Sequence, residues 1–277
     1  MIAVQDDSQQ WVKLNAPAKR IISLAPHTTE LLFAAGAGDK VVGVISFSDY
    51  PEQAKQLPTV GRFDAIAAET IISLKPDLIV AWRSGNANAG IQALQRQGYP
   101  IYFSEPTRLT AIPEQLEELG QLAGVEQTAN HAAEKFRQSL KKLHTQYLTK
   151  NTQQKKQPTV FFLVSQTPLM TVNKNHIIND VISNCGGVNP FADLPPLIPI
   201  ISIEQLLVTS PSVVVATNSL LQQDGWSAQL KKLPVIQHNQ VIYLEADHIL
   251  RPTPRILLAM ETLCEQLATK ATVKPQK

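Results

Sequence analysis

The sequence has little charge and no long apolar run. Its 277 residues carry a formal net charge of +2, and only 17% of them are charged. Proteins that bind nucleic acid present a basic patch or stripe, and no such cluster stands out here. The apolar stretches are short and interrupted by proline, as in residues 194–201 (LPPLIPII), whereas a membrane-spanning helix needs about 20 apolar residues. The composition therefore excludes a nucleic-acid-binding protein and a membrane-spanning segment.

The common catalytic motifs are also missing. The chain contains no G-x-S-x-G elbow, no P-loop, no G-x-G-x-x-G and no H-E-x-x-H. Six histidines are scattered along it, and only His27 and His248 fall on loops that we expect near a ligand. One histidine from each half would suit a metal site, but surface or capping roles are favoured. The sequence predicts a protein that is not an enzyme and holds neither a metal nor a cofactor.

Cysteine is scarce as well, since only Cys185 and Cys264 are present. Neither lies in a Cys-x-x-Cys pair or at metal-binding distance in sequence from a histidine, which disfavours a zinc site. Two buried thiols and one disulfide both remain open on these residues alone. A disulfide would close a loop of roughly 80 residues, worth about 4 kcal/mol in the chain-entropy model, and would imply an oxidising compartment.

The amino terminus lacks a basic lead-in and a long apolar run, so it shows no secretory signal. Either the protein is cytoplasmic, or a signal has been removed from it. Composition does not choose between these alternatives.

A phrase of 13 residues occurs twice. Residues 69–81 (ETIISLKPDLIVA) correspond to residues 204–216 (EQLLVTSPSVVVA), with a shift of 135 residues at both ends (204 − 69 and 216 − 81). Each copy predicts a short helix that starts at the glutamate, stops at the proline and leads into a buried strand. A third block corresponds with a shift of 141: residues 101–103 match 242–244, and Pro113 matches Pro254, each before an amphipathic helix.

Strands that alternate with helices and are apolar on both faces indicate parallel sheets covered by helices. Residues 20–24 and 159–164 are predicted to be the first strands of two halves, and residues 25–29 a turn before a helix at 30–35. A helical pattern runs from about residue 126 to 148 between the halves. We predict an α/β protein with two Rossmann-like lobes, residues 1–125 and 151–277, whose parallel sheets are joined by one long α-helix at 126–150, with a ligand cleft between the lobes.

Ligands of such sheets bind at the carboxyl ends of the strands. The corresponding loops are residues 26–29, 46–50, 61–63 and 82–86 in the first half, and 165–170, 197–200, 217–219 and 245–251 in the second. Aromatic, amide and hydroxyl groups dominate these loops. This composition is typical of a pocket for a large, mostly neutral ligand.

Glu69 and Glu204 begin the two copies of the repeated phrase. A carboxylate in the first turn of a helix interacts favourably with the helix dipole by about 0.3–1 kcal/mol, and Ser202 is a candidate N-cap. A purely local role is therefore one interpretation. The other is that two equivalent carboxylates meet two equivalent basic pockets on a two-fold symmetric partner.

Five short segments resemble a known family: residues 48–51 (SDYP), 75–78 (KPDL), 81–86 (AWRSGN), 184–189 (NCGGVN) and 254–257 (PRIL). From about residue 20 to 267 the chain resembles the helical-backbone substrate-binding proteins of ABC importers, and among them the periplasmic cobalamin-binding (BtuF-type) group. The resemblance implies a monomer that captures cobalamin or a related corrinoid in the periplasm. It also implies delivery of that transported ligand to a two-fold symmetric permease of the BtuCD type.

The resemblance also implies roles for particular residues. Those implied to bind the ligand are Tyr50, Phe63, Trp82, Asp247 and Arg251, with Tyr50 stacked on the corrin and the last two contacting its amide groups. Glu69 and Glu204 would dock on the importer. Cys185 and Cys264 would form the disulfide of the family, which implies a periplasmic mature protein whose signal peptide has been removed.

The chain departs from the cobalamin-binding group at Phe63, Met170 and Ile198, where Trp, Phe and Trp are expected. Apolar contact survives such changes, but aromatic stacking is reduced. One rival is therefore a siderophore or haem receptor of the same fold, whose anionic ligand would suit the arginines at positions 62, 83 and 251. The other is a metal-cluster or tetrapyrrole-handling enzyme, which the absence of a clustered Cys or His set argues against.

Overall fold

The computed structural model describes residues 1–86, 89–148, 157–222 and 225–270. The chain divides into two compact units. The first comprises Met1–Pro106 and Thr110–Arg137, and the second comprises Thr107–Leu109 and Gln138–Lys277. Over the described residues, no helix combines the length and apolarity that crossing a membrane requires.

The first unit contains a parallel sheet and two antiparallel hairpins. Its strands are β1 (Ile2–Gln5), β2 (Trp11–Leu14), β3 (Ile21–Ser23), β4 (Val41–Val44), β5 (Gly61–Arg62), β6 (Ala65–Ile66), β7 (Leu78–Trp82) and β8 (Ile101–Ser104). The sheet has the order β4-β3-β7-β8, and β1-β2 and β5-β6 are the hairpins. Its helices are α1 (Pro26–Ala34), α2 (Ala68–Ser73), α3 (Ala89–Arg96) and α4 (Ala111–Ala123), with 3₁₀ turns at Gly38–Lys40 and Glu52–Gln56.

A long helix, α5 (Glu126–Leu143), follows and continues as a π-helical turn at His144–Leu148. The border between the two units falls inside α5, between Arg137 and Gln138. With a rise of 1.5 Å per residue, its 18 residues extend over roughly 27 Å.

The second unit repeats the pattern with fewer strands. They are β9 (Val160–Phe162), β10 (Ser165–Gln166), β11 (Leu169–Met170), β12 (Val213–Thr217) and β13 (Val241–Leu244). The parallel sheet has the order β13-β12-β9, and β10-β11 is a hairpin. The helices are α6 (Ile177–Asn184), α7 (Ile203–Thr209), α8 (Asn218–Gln222), α9 (Pro234–Gln237), α10 (Ala246–Ile249) and α11 (Ile256–Lys270), with a 3₁₀ turn at Leu230–Lys232.

The repeated phrase forms the same two elements in both units. α2 and α7 start 135 residues apart (203 − 68), and so do β7 and β12 (213 − 78). Both strands lie inside their sheets with a parallel neighbour on each side. Every residue of the two strands is buried except Trp82, which is half-buried. The predicted α/β architecture with parallel sheets and one long helix is confirmed.

The two helices of the repeat also end in the same way. Lys75 (φ 48°) and Ser210 (φ 46°) adopt the left-handed conformation, although neither is a glycine. This conformation costs an L-residue about 1–2 kcal/mol. Each stands directly before the proline of the repeat, whose ring and missing N–H prevent the helix from continuing. Two helices that end in the same unfavourable backbone conformation at equivalent positions indicate that the two units are related copies.

Two helix boundaries expected from the sequence are wrong. Residues 25–29 form no separate turn, because α1 starts at Pro26, whose fixed φ suits the first helical position. The Thr28 hydroxyl accepts a hydrogen bond from the backbone N–H of Ala25 (3.1 Å) and so caps this start. Likewise, Pro113 lies within the first turn of α4 rather than before it, where a missing N–H removes no intrahelical bond.

The predicted disulfide is confirmed. Cys185 at the end of α6 is bonded to Cys264 in α11, and both side chains are fully buried. The bond joins two helices of the second unit across 79 positions of sequence. The alternative of two free thiols is thereby excluded.

Candidate functional site

The hairpin β5-β6 holds the start of α2 at the carboxyl edge of the first sheet. Ser46, two residues after β4, donates its backbone N–H to the carbonyl of Gly61 (2.9 Å). Ala67, the N-cap of α2, donates to the carbonyl of Val60 (3.1 Å). Glu69 is therefore held in the first turn of a helix that begins beside the end of β4.

The hairpin β10-β11 holds the start of α7 at the carboxyl edge of the second sheet. Val164, two residues after β9, donates its backbone N–H to the carbonyl of Met170 (3.0 Å), and Ile201 donates to the carbonyl of Leu169 (2.9 Å). α7 begins two residues later, with Glu204 in its first turn. In both units, the edge that presents the strand ends thus also presents the glutamate of the repeat.

Trp82, the last residue of β7, is held from several sides. Its indole Nε1–H donates to Oε1 of Glu105 (3.2 Å), and its backbone N–H donates to Oδ1 of Asn86 (2.6 Å). The imidazole of His27 meets the indole edge-on, with ring centroids 5.9 Å apart and an interplanar angle of 87°. A methyl group at Gly85 would lie 1.9 Å from a carbon of the indole, so only glycine fits beside the ring. Trp82 is therefore half-buried in a fixed orientation.

Asn86 links two of the predicted ligand residues. Its amide is fully buried, and its Nδ2 donates to the backbone carbonyl of Phe63 (3.2 Å) while its Oδ1 accepts from Trp82. The structure thus brings the backbones of Phe63 and Trp82 to the two sides of one amide. Neither composition nor periodicity signals this link, since Phe63 lies 23 positions away from Asn86 in the sequence.

The loop after β4 presents two aromatic side chains. Tyr50 is 46% exposed, close to the 47% of Phe63, and Phe47 is 76% exposed. Phe47 adopts a left-handed conformation (φ 67°), which is unfavourable for a bulky L-residue. Phe47 is absent from the set of ligand residues expected from the sequence. It lies in the loop 46–50, which the sequence places at a strand end.

Asp247 and Arg251 are brought together as an ion pair. The Nη2 of Arg251 lies 2.9 Å from Oδ1 of Asp247, at i,i+4 spacing across α10. The Arg251 side chain is only 13% exposed, whereas that of Asp247 is 50% exposed. Because the Asp247 carboxylate is half exposed, solvent screens the pair, and its contribution to stability is about 0–1 kcal/mol. The ion pair holds the guanidinium of Arg251 beside the carboxylate of Asp247. Together the two groups offer hydrogen-bond donors and acceptors to amide groups.

Two of the positions where aromatic residues are expected, Met170 and Ile198, lie in or near the hairpin of the second unit. Met170 is half-buried in β11 and pairs through an antiparallel bridge with Ile200, while Ile198 is 37% exposed. The departure from the aromatic pattern at Met170 and Ile198 thus falls in one region of the second unit. That region still offers apolar area to a ligand.

Glu69 and Glu204 are both exposed in the first turns of their helices. Ser202 is the N-cap of α7, as expected: its hydroxyl accepts from the N–H of Gln205 (3.2 Å), and the Gln205 side chain accepts from the N–H of Ser202 (2.8 Å). A hydrogen bond from Ser202, followed by one from the backbone of Glu204 itself, lowers the pKa of the Glu204 carboxyl. The carboxylate is therefore ionised and directed to solvent.

Among the described residues, no group of three or more His, Cys, Asp or Glu side chains could hold a metal ion. His27 is buried, and its Nε2 is hydrogen bonded to the Ser104 hydroxyl (3.1 Å). His248 lies in the last turn of α10. The two histidines that the sequence places on ligand loops thus lie in different units, His27 in the first and His248 in the second.

The sequence pattern of the family described as periplasmic binding protein matches residues 21–248. This chain belongs to that family. It is 42% identical to the vitamin B12-binding protein of Vibrio cholerae serotype O1 over 253 residues, which are 91% of this chain and 90% of that protein. The vitamin B12-binding protein of Yersinia pestis is also 42% identical, over 92% of this chain and 88% of its own length.

Solved structures agree with this membership. The crystal structure of the periplasmic vitamin B12-binding protein BtuF of Vibrio cholerae matches with a TM-score of 0.83 and 40% identity, covering 93% of this chain and 99% of that one. The periplasmic heme-binding protein RhuT of Roseiflexus has a TM-score of 0.79 at 24% identity, which shows a common fold alone. The resemblance read from five short segments is confirmed.

In this periplasmic binding protein, Asp7 and Glu118 form an acidic cluster, and Glu105 joins Asp7 to Trp82. The Tyr102 hydroxyl donates a short hydrogen bond to the Glu118 carboxylate. Burial raises the pKa of Glu118 to about 7; the Tyr102 hydrogen bond opposes this rise and the neighbouring Asp7 charge adds to it. Burial also raises the pKa of Asp7, although the N–H of Glu105 donates to its carboxylate. The cluster therefore carries less negative charge near pH 6 than its composition suggests.

We predict that Glu118 makes the protein less stable as the pH rises from about 5 to above 7. The pKa is higher folded than unfolded, so the unfolded chain releases the proton first and the free energy of unfolding falls through this window. With a discount for solvent screening of a partly exposed group, the loss is about 1–2 kcal/mol. Glu118→Gln still accepts from Tyr102 but does not titrate, so it should remove that part of the pH dependence.

The measurement is urea unfolding of the parent and Glu118→Gln at pH 5 and pH 7.5. Glu117→Gln, a neighbouring change on α4 at the ion pair with Arg137, is the control and should keep the parental pH dependence. An equal fall in stability for the parent and Glu118→Gln would contradict the prediction.

Proposed function

We propose that this protein captures cobalamin or a related corrinoid in the periplasm and delivers it to an ABC importer. The observation that carries the proposal is the 40% identity to the BtuF structure over nine-tenths of this chain. Both vitamin B12-binding relatives named above support it over a similar length. We further propose that the mature protein is monomeric, acts after removal of a signal peptide, performs no chemistry and docks on a permease of the BtuCD type.

Five side chains are proposed to bind the corrin: Tyr50, Phe63, Trp82, Asp247 and Arg251. A corrin is a broad ring with an apolar face and a rim of amide groups. Exposed aromatic faces gain contact area and stacking with such a ring. Carboxylate acceptors and guanidinium donors suit the amide rim, and the ion pair of Asp247 with Arg251 holds both groups in position before the ligand arrives.

The rival ligand class, an anionic siderophore or haem, is disfavoured because the three arginines that would bind it already have acceptors within the protein. Arg62 is paired with Asp64 (3.0 Å), and Arg251 is paired with Asp247 (2.9 Å). Arg83 donates to the backbone carbonyl of Asp7 (2.9 Å). An anionic ligand would have to compete with acceptors that these guanidinium groups already have. A ligand with a neutral amide rim shares the donors without displacing a carboxylate.

Titration calorimetry with cyanocobalamin tests the ligand, with haemin as the competing compound. We expect binding at or below micromolar concentration, and about 10- to 100-fold weaker binding by Arg251→Ala, since a hydrogen bond to a charged group contributes about 1.5–3 kcal/mol. Arg137→Ala is the matched control, because Arg137 is also paired with a carboxylate but lies on α5. Absence of heat with cyanocobalamin, or tighter binding of haemin, would reject cobalamin.

The docking proposal is tested by the double change Glu69→Ala and Glu204→Ala. Because both carboxylates are exposed and neither belongs to the proposed ligand set, cobalamin affinity should stay within about twofold while delivery to the reconstituted importer is lost. Glu126→Ala with Glu265→Ala is the control; Glu126 is likewise an exposed glutamate in a first turn. Undiminished transport by the first double variant would reject the docking role.

A further inference from the structure

The hairpin β1-β2 precedes the region matched by the family, which starts at residue 21, yet its turn is attached to the end of β8. The N–H of Phe103 donates to Oδ2 of Asp6 (3.0 Å), and the N–H of Asp7 donates to the carbonyl of Phe103 (3.1 Å). The N–H of Glu105 donates to the Asp7 carboxylate through a short hydrogen bond. The turn thus fixes the chain at the residue that follows β8.

Glu105 in turn contacts the segment that carries Trp82. One carboxylate oxygen accepts from the indole Nε1–H of Trp82 (3.2 Å), and the other accepts from the backbone N–H of Ser84 (2.9 Å). Arg83, between these residues, donates from Nη1 to the backbone carbonyl of Asp7 (2.9 Å). Trp82 at the end of β7 and the two residues that follow it are therefore held by Asp7 and Glu105.

A second chain of contacts joins Asp7 to the indole through His27. Gln115 donates from Nε2 to the Asp7 carboxylate and accepts with Oε1 from the Ser104 hydroxyl (2.7 Å). Because that hydroxyl uses its proton on Gln115, it accepts from Nε2 of His27 (3.1 Å). His27 then packs edge-on against Trp82. The chain of contacts through Glu105 and the chain through Gln115 both start at the Asp7 carboxylate.

We propose that Asp7 and Glu105 are positioning residues for Trp82, so that the amino-terminal hairpin takes part in forming the ligand surface. That the indole contacts a ligand rests on the proposed function. That Asp7 and Glu105 orient the indole does not depend on it. Glu105 accepts from the indole N–H and from the backbone N–H of Ser84, and so fixes the ring relative to the loop.

The test uses a parent with Trp82 as its single tryptophan, made by Trp11→Phe and Trp226→Phe. Acrylamide quenching of the Trp82 fluorescence is measured without ligand, and cobalamin affinity is measured separately. Glu105→Ala should raise the quenching constant about twofold and weaken cobalamin binding about tenfold. Glu105→Gln keeps one acceptor for the indole but not the second for Ser84, and should fall between the parent and Glu105→Ala. Asp7→Asn should also raise quenching.

Glu117→Ala, on α4 and paired with Arg137, is the control and should match the parent. If Glu105→Ala does not fold, Glu105→Asp, whose shorter side chain cannot reach both donors, takes its place. Equal quenching in the parent, Glu105→Gln and Glu105→Ala would overturn the positioning role. A parent that binds no cobalamin would reject the proposed function, while the quenching series would still decide the orientation of Trp82.

Discussion

The burial of β7 and β12 is the constraint on which the rest of the structure depends. Each strand has a parallel neighbour on both sides, and its side chains are enclosed along almost its whole length. Polar groups are costly inside such a strand, so chemistry is confined to its ends. The helix before each strand begins beside the carboxyl edge, and Trp82 ends β7 at that edge. One buried strand in each unit thereby fixes both a glutamate and the strand ends where we propose that the ligand binds.

The polar groups at these edges largely satisfy one another before any ligand is present. Asp247 holds Arg251, Asn86 joins the backbones of Phe63 and Trp82, and Glu105 accepts from the indole. Charges that are already paired attract an anion weakly, while their remaining donors and acceptors still suit amides. Prior pairing also reduces the ordering that binding requires. The arrangement therefore favours a rigid, mostly neutral ligand over a highly charged one.

The sequence predicted most of what depends on local pattern. Both copies of the repeated helix and strand, the parallel sheets and the long helix follow from apolar periodicity, and the disulfide follows from the family resemblance. The start of α1 at Pro26 was missed because a proline reads equally well as a turn or as a first helical residue. The contact of Asp7 with Glu105 was beyond reach, since 98 positions separate the two residues. The roles of the ligand and docking residues remain predictions.

The most direct test of the account is a crystal structure of the protein grown with cyanocobalamin. We expect the corrin to lie at the carboxyl edges of the strands, with its ring in contact with Tyr50 and Trp82. Its amide groups should accept from Arg251 or donate to Asp247, and the Trp82 indole should keep its bond to Glu105. A corrin bound away from these strand ends, or crystals without corrin density at millimolar ligand, would contradict the account.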